Sequence, residues 1–142
     1  GKFDEGMEKV RRAVGICIEN LNSDPKNYLA KSELGLAHWN AGNILTMRGN
    51  YLNALASFQQ ALAVQTEMQQ ANPRDLYNQG NVAGTYASMG SLFEKQGQKE
   101  DARKYYRLSY EIWKAMKDRD MLPGYYAHKP EALRLSLERV GG

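Results

Sequence analysis

The sequence matches itself when Gly1 is placed on Gly49, a shift of 48 positions, and this feature constrains the fold more than any other. Small, aromatic and turn-forming residues recur by type under the shift. The aligned sets include Gly1, Gly49 and Gly97; Gly42 and Gly90; Ala13, Ala61 and Ser109; and Asp24-Pro25 with Asn72-Pro73. A fixed period of about 20 to 50 residues is typical of repeat proteins, in which each repeat buries a face against its neighbours.

The composition indicates that the repeats are helical. Alanine and leucine number 15 each, whereas valine, isoleucine and threonine together number 12. Side chains branched at Cβ favour strands, while alanine and leucine favour helices. The sequence therefore predicts an all-α fold built from antiparallel helix pairs.

Each repeat is predicted to contain two helices. The Asp24-Pro25 and Asn72-Pro73 pairs place a capping residue before proline, so we expect the first helix of each repeat to begin there. Gly49 and Gly97 are predicted to end these helices in the left-handed conformation. The second helix is about 20 residues long, roughly 30 Å, and its predicted apolar side carries Leu52, Leu55, Phe58, Leu62 and Gln65.

These signals predict that residues 1–142 form a single domain with four parts. Residues 1–24 form the second helix of an incomplete repeat, 25–72 and 73–121 form two repeats, and 129–140 form a capping helix. Because Gly1 aligns with the turn glycines, we expect a fragment of a longer array; the alternative is that another surface covers the first helix. In the capping helix, Glu138 stands at the position that Gly42 and Gly90 occupy in the repeats.

The stretch from Gly35 to Val64 resembles a tetratricopeptide repeat. Gly42 matches the packing glycine of the first helix, and the second helix carries the small-aromatic-small pattern, which recurs one period later. These residues are Ala54, Phe58 and Ala61, then Ala102, Tyr106 and Ser109. The resemblance implies a right-handed α-α superhelix with a C-terminal capping helix. The repeats exceed the usual length of about 34 residues and are similar to arrays appended to bacterial serine/threonine kinases and regulators.

In such arrays the first helices line a concave groove that binds a protein or peptide partner. The resemblance places nine residues on this groove: Leu36, Trp39, Asn40, Asn43 and Met47, then Ala87, Ser91, Glu94 and Lys95. Thr46 and Gly84 occupy inward positions beside them. Trp39 lies either in the groove or between helices. Because Trp39 stands where the carboxylate-gripping variant of this groove prefers lysine, we do not expect that variant.

The sequence lacks the motifs of enzymes, metal-binding proteins, nucleic-acid-binding proteins and membrane proteins. The single cysteine and the two histidines form no nucleophile or metal set, and no GxGxxG loop occurs, so we expect no enzymatic activity, cofactor or metal. The net charge of +3 comes from interleaved signs, which argues against nucleic acid. No apolar run reaches about 18 residues, so we expect no membrane span and a cytoplasmic protein. Cys17 lies among apolar residues and is predicted to be buried.

A second hypothesis assigns self-association to the incomplete repeat. The helix over residues 3–22 lacks the first helix that would normally precede it. A second copy of the chain could cover this helix in a homodimer. We expect Val10, Val14 and Cys17 to form that contact.

Overall fold

The computed structural model describes residues 1–141, which contain six α-helices, a short 3₁₀ helix and no strand. The α-helices are α1 (Lys2–Ser23), α2 (Tyr28–Met47), α3 (Tyr51–Ala71), α4 (Leu76–Lys95), α5 (Lys99–Asp118) and α6 (Lys129–Arg139), and the 3₁₀ helix is Gly124–Tyr126. The all-α prediction is confirmed.

The chain divides into two compact units at Arg74 and Asp75. Unit 1 contains α1, α2 and α3, and unit 2 contains α4, α5 and α6. Within each unit, helices that are adjacent in sequence pack against each other.

The helices restart with the predicted period. Helix α2 runs from Tyr28 to Met47, and α4 runs from Leu76 to Lys95, so both ends are displaced by 48 positions. The starts of α3 and α5, at Tyr51 and Lys99, are displaced by the same amount. The predicted spacing of the helix pairs is therefore confirmed.

The turns after α2 and α4 depend on glycine. Gly49 and Gly97 have φ values of +79° and +76°, in the left-handed region that side chains disfavour. The N–H of Gly49 donates to the Thr46 carbonyl over 3.1 Å, and the N–H of Asn50 donates to the Leu45 carbonyl over 2.9 Å. This pair of hydrogen bonds is the Schellman motif. The predicted left-handed stops are confirmed.

The Asp-Pro and Asn-Pro pairs do not cap the helices that follow them, so this prediction is wrong. Asp24 and Asn72 are instead the C-terminal caps of α1 and α3. The N-caps of α2 and α4 are Asn27 and Asp75, whose side chains accept hydrogen bonds from backbone N–H groups of the first turn. Proline follows the helix ends because it cannot continue a helix.

The two helices of each pair pack through a glycine that faces an aromatic ring. A Cβ atom on Gly42 would lie 2.4 Å from Cε1 of Phe58, and one on Gly90 would lie 2.6 Å from Cδ1 of Tyr106. Both rings are buried. The predicted close approach at these glycines is confirmed, because no side chain fits between the helix and the ring.

The buried sides of α3 and α5 carry matching residues one period apart. They are Ala54, Phe58, Ala61, Gln65 and Met68 on α3, and Ala102, Tyr106, Ser109, Trp113 and Met116 on α5. Leu52 was expected on this side but is 81% exposed, because Ala54 and Phe58 turn the opposite side of α3 inward. Leu55 and Leu62 are half-buried.

Helix α6 packs against α5, and Leu133, Leu137 and the C-terminal cap residue Val140 are buried. In the loop before α6, the ring centroid of Tyr126 lies 4.7 Å from that of Trp113. This tyrosine therefore packs over the core of unit 2. The neighbouring Tyr125 contacts the Tyr126 ring but is mostly exposed.

Candidate functional site

One face of α2 exposes apolar side chains to solvent. Leu36 is 45% exposed and Met47 is 71% exposed. Asn40 is exposed and Asn43 is half-buried. Steps of three, four and seven residues place these side chains on one face of the helix.

Leu29 extends this face by two turns toward the start of α2. It is 66% exposed and lies seven residues before Leu36. Sequence reasoning missed Leu29, although its seven-residue spacing from Leu36 was a usable signal. We call Leu29, Leu36, Asn40, Asn43 and Met47 the α2 strip.

Trp39 is half-buried and lies at the edge of the α2 strip. Gly35 and Gly42, four residues before it and three residues after it, lie on the same side of the helix and are buried, so the packed side of α2 begins beside Trp39. Trp39 also interacts with another group of the protein. Its ring is therefore neither a free groove residue nor an enclosed core residue.

Thr46 does not belong to this face, contrary to the expectation that it points into the groove. It is buried, and its hydroxyl donates a hydrogen bond to the Gly42 carbonyl over 2.7 Å. A threonine in a helix commonly bonds to the carbonyl four residues earlier. The hydroxyl of Thr46 is thus hydrogen-bonded within α2 and is not presented to a partner.

The remaining predicted groove residues lie on α4 in unit 2. Ala87 and Ser91 are half-buried, and Lys95 is exposed. Gly84 has open space where its Cβ would be. The nine predicted residues therefore divide into five on α2 of unit 1 and four on α4 of unit 2.

Glu94 is engaged in a network within unit 2. Its carboxylate accepts a hydrogen bond from the Tyr106 hydroxyl over 2.7 Å. The same carboxylate binds the Arg139 guanidinium through two contacts of 2.6 Å and 2.9 Å. Glu94 thus joins α4 to α5 and α6, which sequence reasoning did not foresee.

The charges of this network follow from its hydrogen bonds. The Arg139 guanidinium holds the pKa of Glu94 below its ordinary value. Burial, together with the neighbouring carboxylate, raises the pKa of Tyr106 to about 12. A neutral tyrosine hydroxyl therefore donates to an ionised carboxylate across the neutral pH range.

Unit 1 contains an open cleft of about 710 Å³. Its lining combines apolar and polar side chains from all three helices of the unit: Met7, Arg11, Leu45, Arg48, Asn50, Asn53, Ala56 and Ser57. Sequence reasoning did not find this cleft, because its lining comes from three separate segments.

Unit 2 contains a smaller cavity of about 240 Å³, lined by α5, α6 and the loop between them. The charged groups on its lining are largely paired with each other. Lys114 lies 2.6 Å from Asp118, and Arg134 lies 2.7 Å from Glu131. These pairings leave few groups of this cavity available to a ligand.

Cys17 is buried, as predicted, and burial raises the pKa of its thiol. Within residues 1–141, no three His, Cys, Asp or Glu side chains are grouped so that they could hold a metal ion. In the same range, every helix is too short or too polar to cross a bilayer.

No model of a known protein family matches this chain, and no curated protein or solved structure shows significant similarity to it.

Proposed function

We propose that this chain is a non-enzymatic scaffold that binds a protein or peptide partner. In this proposal the helix pairs are tetratricopeptide-like repeats of a right-handed solenoid. The chain forms part of a larger, cytoplasmic bacterial regulatory protein. The observation that carries the proposal is the exposure of Leu29, Leu36 and Met47 on one face of α2.

The α2 strip has the properties of a docking surface. The distance along the helix from Leu29 to Met47 is roughly 27 Å, enough for a helix of several turns or for an extended segment. Exposed apolar side chains grouped on one surface favour association, because covering them removes apolar area from water. A partner that covers this strip desolvates few charges, since Lys31 and Glu33 are the only charged residues of α2.

The two asparagines of the α2 strip supply specificity. An amide side chain both donates and accepts hydrogen bonds, so Asn40 and Asn43 can pair with the backbone of a bound segment. Polar groups set in an apolar surface fix the orientation of a ligand. Ala87, Ser91 and Lys95 of α4 form a separate candidate surface within unit 2, while Glu94 serves as an internal anchor.

The test is selection of a displayed random peptide library on the wild-type protein, followed by affinity measurements on three variants. Leu36→Asp and Met47→Asp place a charge on the α2 strip. Leu52→Asp is the matched control, because Leu52 is equally apolar, 81% exposed and in the same unit. We expect the two strip variants to lose at least about tenfold in affinity and the control to bind as the wild type does.

All three variants should keep the helical circular dichroism of the wild type, because the substituted side chains are exposed. Selected peptides that bind the strip variants as well as the wild type would exclude the α2 strip as the site. A library that yields no binder would contradict the scaffold proposal itself.

Exposed isoleucines on α1 favour self-association as a second candidate function. Ile16 is 57% exposed and Ile18 is 47% exposed. Cys17, which was expected in the dimer contact, is buried, and Val10 and Val14 are half-buried, so substitutions there would disturb folding. The two side chains lie on opposite sides of α1, so the test uses the more exposed Ile16. Light scattering should show a dimer that Ile16→Asp dissociates; a monomeric wild type would exclude this candidate.

A further inference from the structure

The open cleft of unit 1 has a volume suited to a ligand. Its volume of about 710 Å³ falls within the roughly 300–1,000 Å³ of typical ligand pockets. Helix α1 supplies Met7 and Arg11, α2 supplies Leu45, and the following turn and α3 supply the remaining lining. We call it the arginine cleft.

The lining of the arginine cleft combines positive charge with apolar surface. Arg11 and Arg48 are both partly exposed, and none of the eight lining residues is acidic. Met7, Leu45 and Ala56 provide apolar contacts between the polar groups. An anionic partner with some apolar side chains is complementary to this lining.

The arginine cleft is distinct from the α2 strip. Leu45, which lines the cleft, follows Leu36 of the strip by nine residues. At 3.6 residues per turn this separation places the two side chains about 180° apart around α2. A ligand in the cleft therefore contacts the opposite side of α2 from a partner on the strip.

The repeat does not require these arginines. The positions one period after Arg11 and Arg48 are occupied by Gln59 and Gln96, although Arg107 stands two periods after Arg11. Arg48 and Gln96 are the C-terminal caps of α2 and α4, with nearly the same backbone conformation. A neutral side chain can therefore end the first helix of a pair, so the positive charge of Arg48 has a role other than ending α2.

Arg48 already binds a carboxylate at the edge of the cleft. Its guanidinium donates to Asp4 over 3.0 Å and lies 5.9 Å from the ring centroid of Phe3. The same guanidinium holds the pKa of Asp4 below its ordinary value. Arg11 has only a distant contact of 3.9 Å with Glu8, so its charge is more available.

We propose that the arginine cleft binds an acidic peptide segment of another protein, at a second site beyond the α2 strip. Carboxylates of the segment pair with Arg11 and Arg48, and its apolar side chains pack on Met7 and Leu45. Guanidinium groups suit this role because their planar fork matches a carboxylate. Asp4 competes with the ligand for Arg48 and thereby lowers the affinity.

The experiment measures fluorescence anisotropy with a short labelled peptide of alternating glutamate and leucine. Arg11→Gln and Arg48→Gln should each weaken binding about tenfold. Arg12→Gln is the matched control, since Arg12 is the next residue, has the same charge and does not line the cleft. Asp4→Asn should tighten binding, because it releases Arg48.

Several results would overturn the proposal. Equal losses of affinity for Arg12→Gln and Arg11→Gln would mean that the peptide responds only to the overall positive charge of this surface. Equal binding of a peptide with glutamine in place of glutamate would exclude carboxylate recognition. Tighter binding of single-stranded oligothymidine, lost in the same arginine variants, would assign the cleft to nucleic acid.

One further variant separates this proposal from the function proposed for the α2 strip. Leu36→Asp should leave binding of the acidic peptide unchanged, because Leu36 lies on the other side of α2. Loss of acidic-peptide binding in this variant would place the peptide on the strip and contradict a second site.

Discussion

Single residues decide how closely the helices of a pair approach. Gly42 and Gly90 lie against the buried rings of Phe58 and Tyr106, at distances that leave no room for a Cβ atom. Buried rings have little freedom to move, because protein interiors are close-packed. The glycine and the aromatic ring therefore act as one packing element in each pair.

The Gly42→Ala substitution should destabilise the protein. Its Cβ would lie 2.4 Å from Phe58, and overpacking of this kind costs about 1–3 kcal/mol. Urea denaturation followed by circular dichroism measures the loss. A second substitution, Phe58→Leu, should restore part of it by removing the ring.

Gly15→Ala is the matched control in the same unit. Gly15 is within α1, and nothing lies within 4 Å of the position of its Cβ. Alanine favours a helix over glycine by about 0.5–1 kcal/mol, so this variant should gain stability. A loss for Gly15→Ala, or no change for Gly42→Ala, would contradict the packing argument.

Asp120 ends α5 in the manner in which Gly49 and Gly97 end α2 and α4. Its φ is +55°, and its N–H donates to the Lys117 carbonyl over 3.0 Å. Because a side chain is strained in this conformation, Asp120→Gly should raise the free energy of unfolding by about 0.5–1 kcal/mol. Thermal melting tests this, and a lower melting temperature would contradict it.

At the scale of elements, α6 is held to unit 2 by apolar packing and by the Glu94 network. Leu133, Leu137 and Val140 pack on the apolar core of the unit. Arg139 of α6 binds Glu94 of α4, which also accepts the hydroxyl of Tyr106 from α5. One carboxylate therefore links three helices. In unit 1, Thr46 and Phe58 stand at the positions of Glu94 and Tyr106, so this network has no counterpart there.

The Glu94→Gln variant should be less stable than the wild type near neutral pH, by about 0.5–1 kcal/mol because the pair is partly exposed. The pKa of Glu94 in the folded protein lies below its ordinary value of 4.5. The extra stability of the wild type should therefore be complete above about pH 4.5 and disappear as the pH falls through the lowered pKa. Denaturant melts across this range measure the difference.

Glu111→Gln provides the control for this element. Glu111 is an exposed acid of α5 and does not belong to the Glu94 network. Its substitution should leave the stability at neutral pH unchanged within about 0.5 kcal/mol. A difference between Glu94→Gln and the wild type that persisted at pH 2 would show that packing, and not the charge of Glu94, is responsible.

At the scale of the whole molecule, the chain consists of two compact units that each contain one tryptophan. Trp39 belongs to unit 1 and Trp113 to unit 2. The buried cluster around Trp113 draws its residues from α4, α5 and α6 and from Val140, the C-terminal cap of α6. This unit therefore has a core of its own.

A fragment of residues 75–142 should fold by itself. We expect a helical circular dichroism spectrum, a cooperative thermal transition and blue-shifted emission from the buried Trp113. Leu137→Asp, which places a charge in the core, should abolish all three signals. A coil-like spectrum for the wild-type fragment would contradict an independent core in unit 2.

The helical class, the spacing of the helix pairs, the left-handed turns and the packing glycines could all be predicted from the amino-acid sequence. These features depend on local chain chemistry that recurs in each repeat. Gly49 and Gly97, for example, are needed wherever a helix ends in the left-handed conformation, and Gly42 wherever a ring packs on the helix. Residue types that recur at a fixed period can be recognised in the sequence alone.

The packing of the helices in three dimensions determines which side of each helix is covered and which distant residues meet. Leu52 fits the apolar pattern of α3, yet it is exposed. Thr46 fits the pattern of groove residues on α2, yet it is buried. The pairing of Glu94 with Arg139 and the lining of the arginine cleft join segments that are far apart in sequence. Such contacts depend on how helices pack in space, and a periodic pattern along one chain does not contain that information.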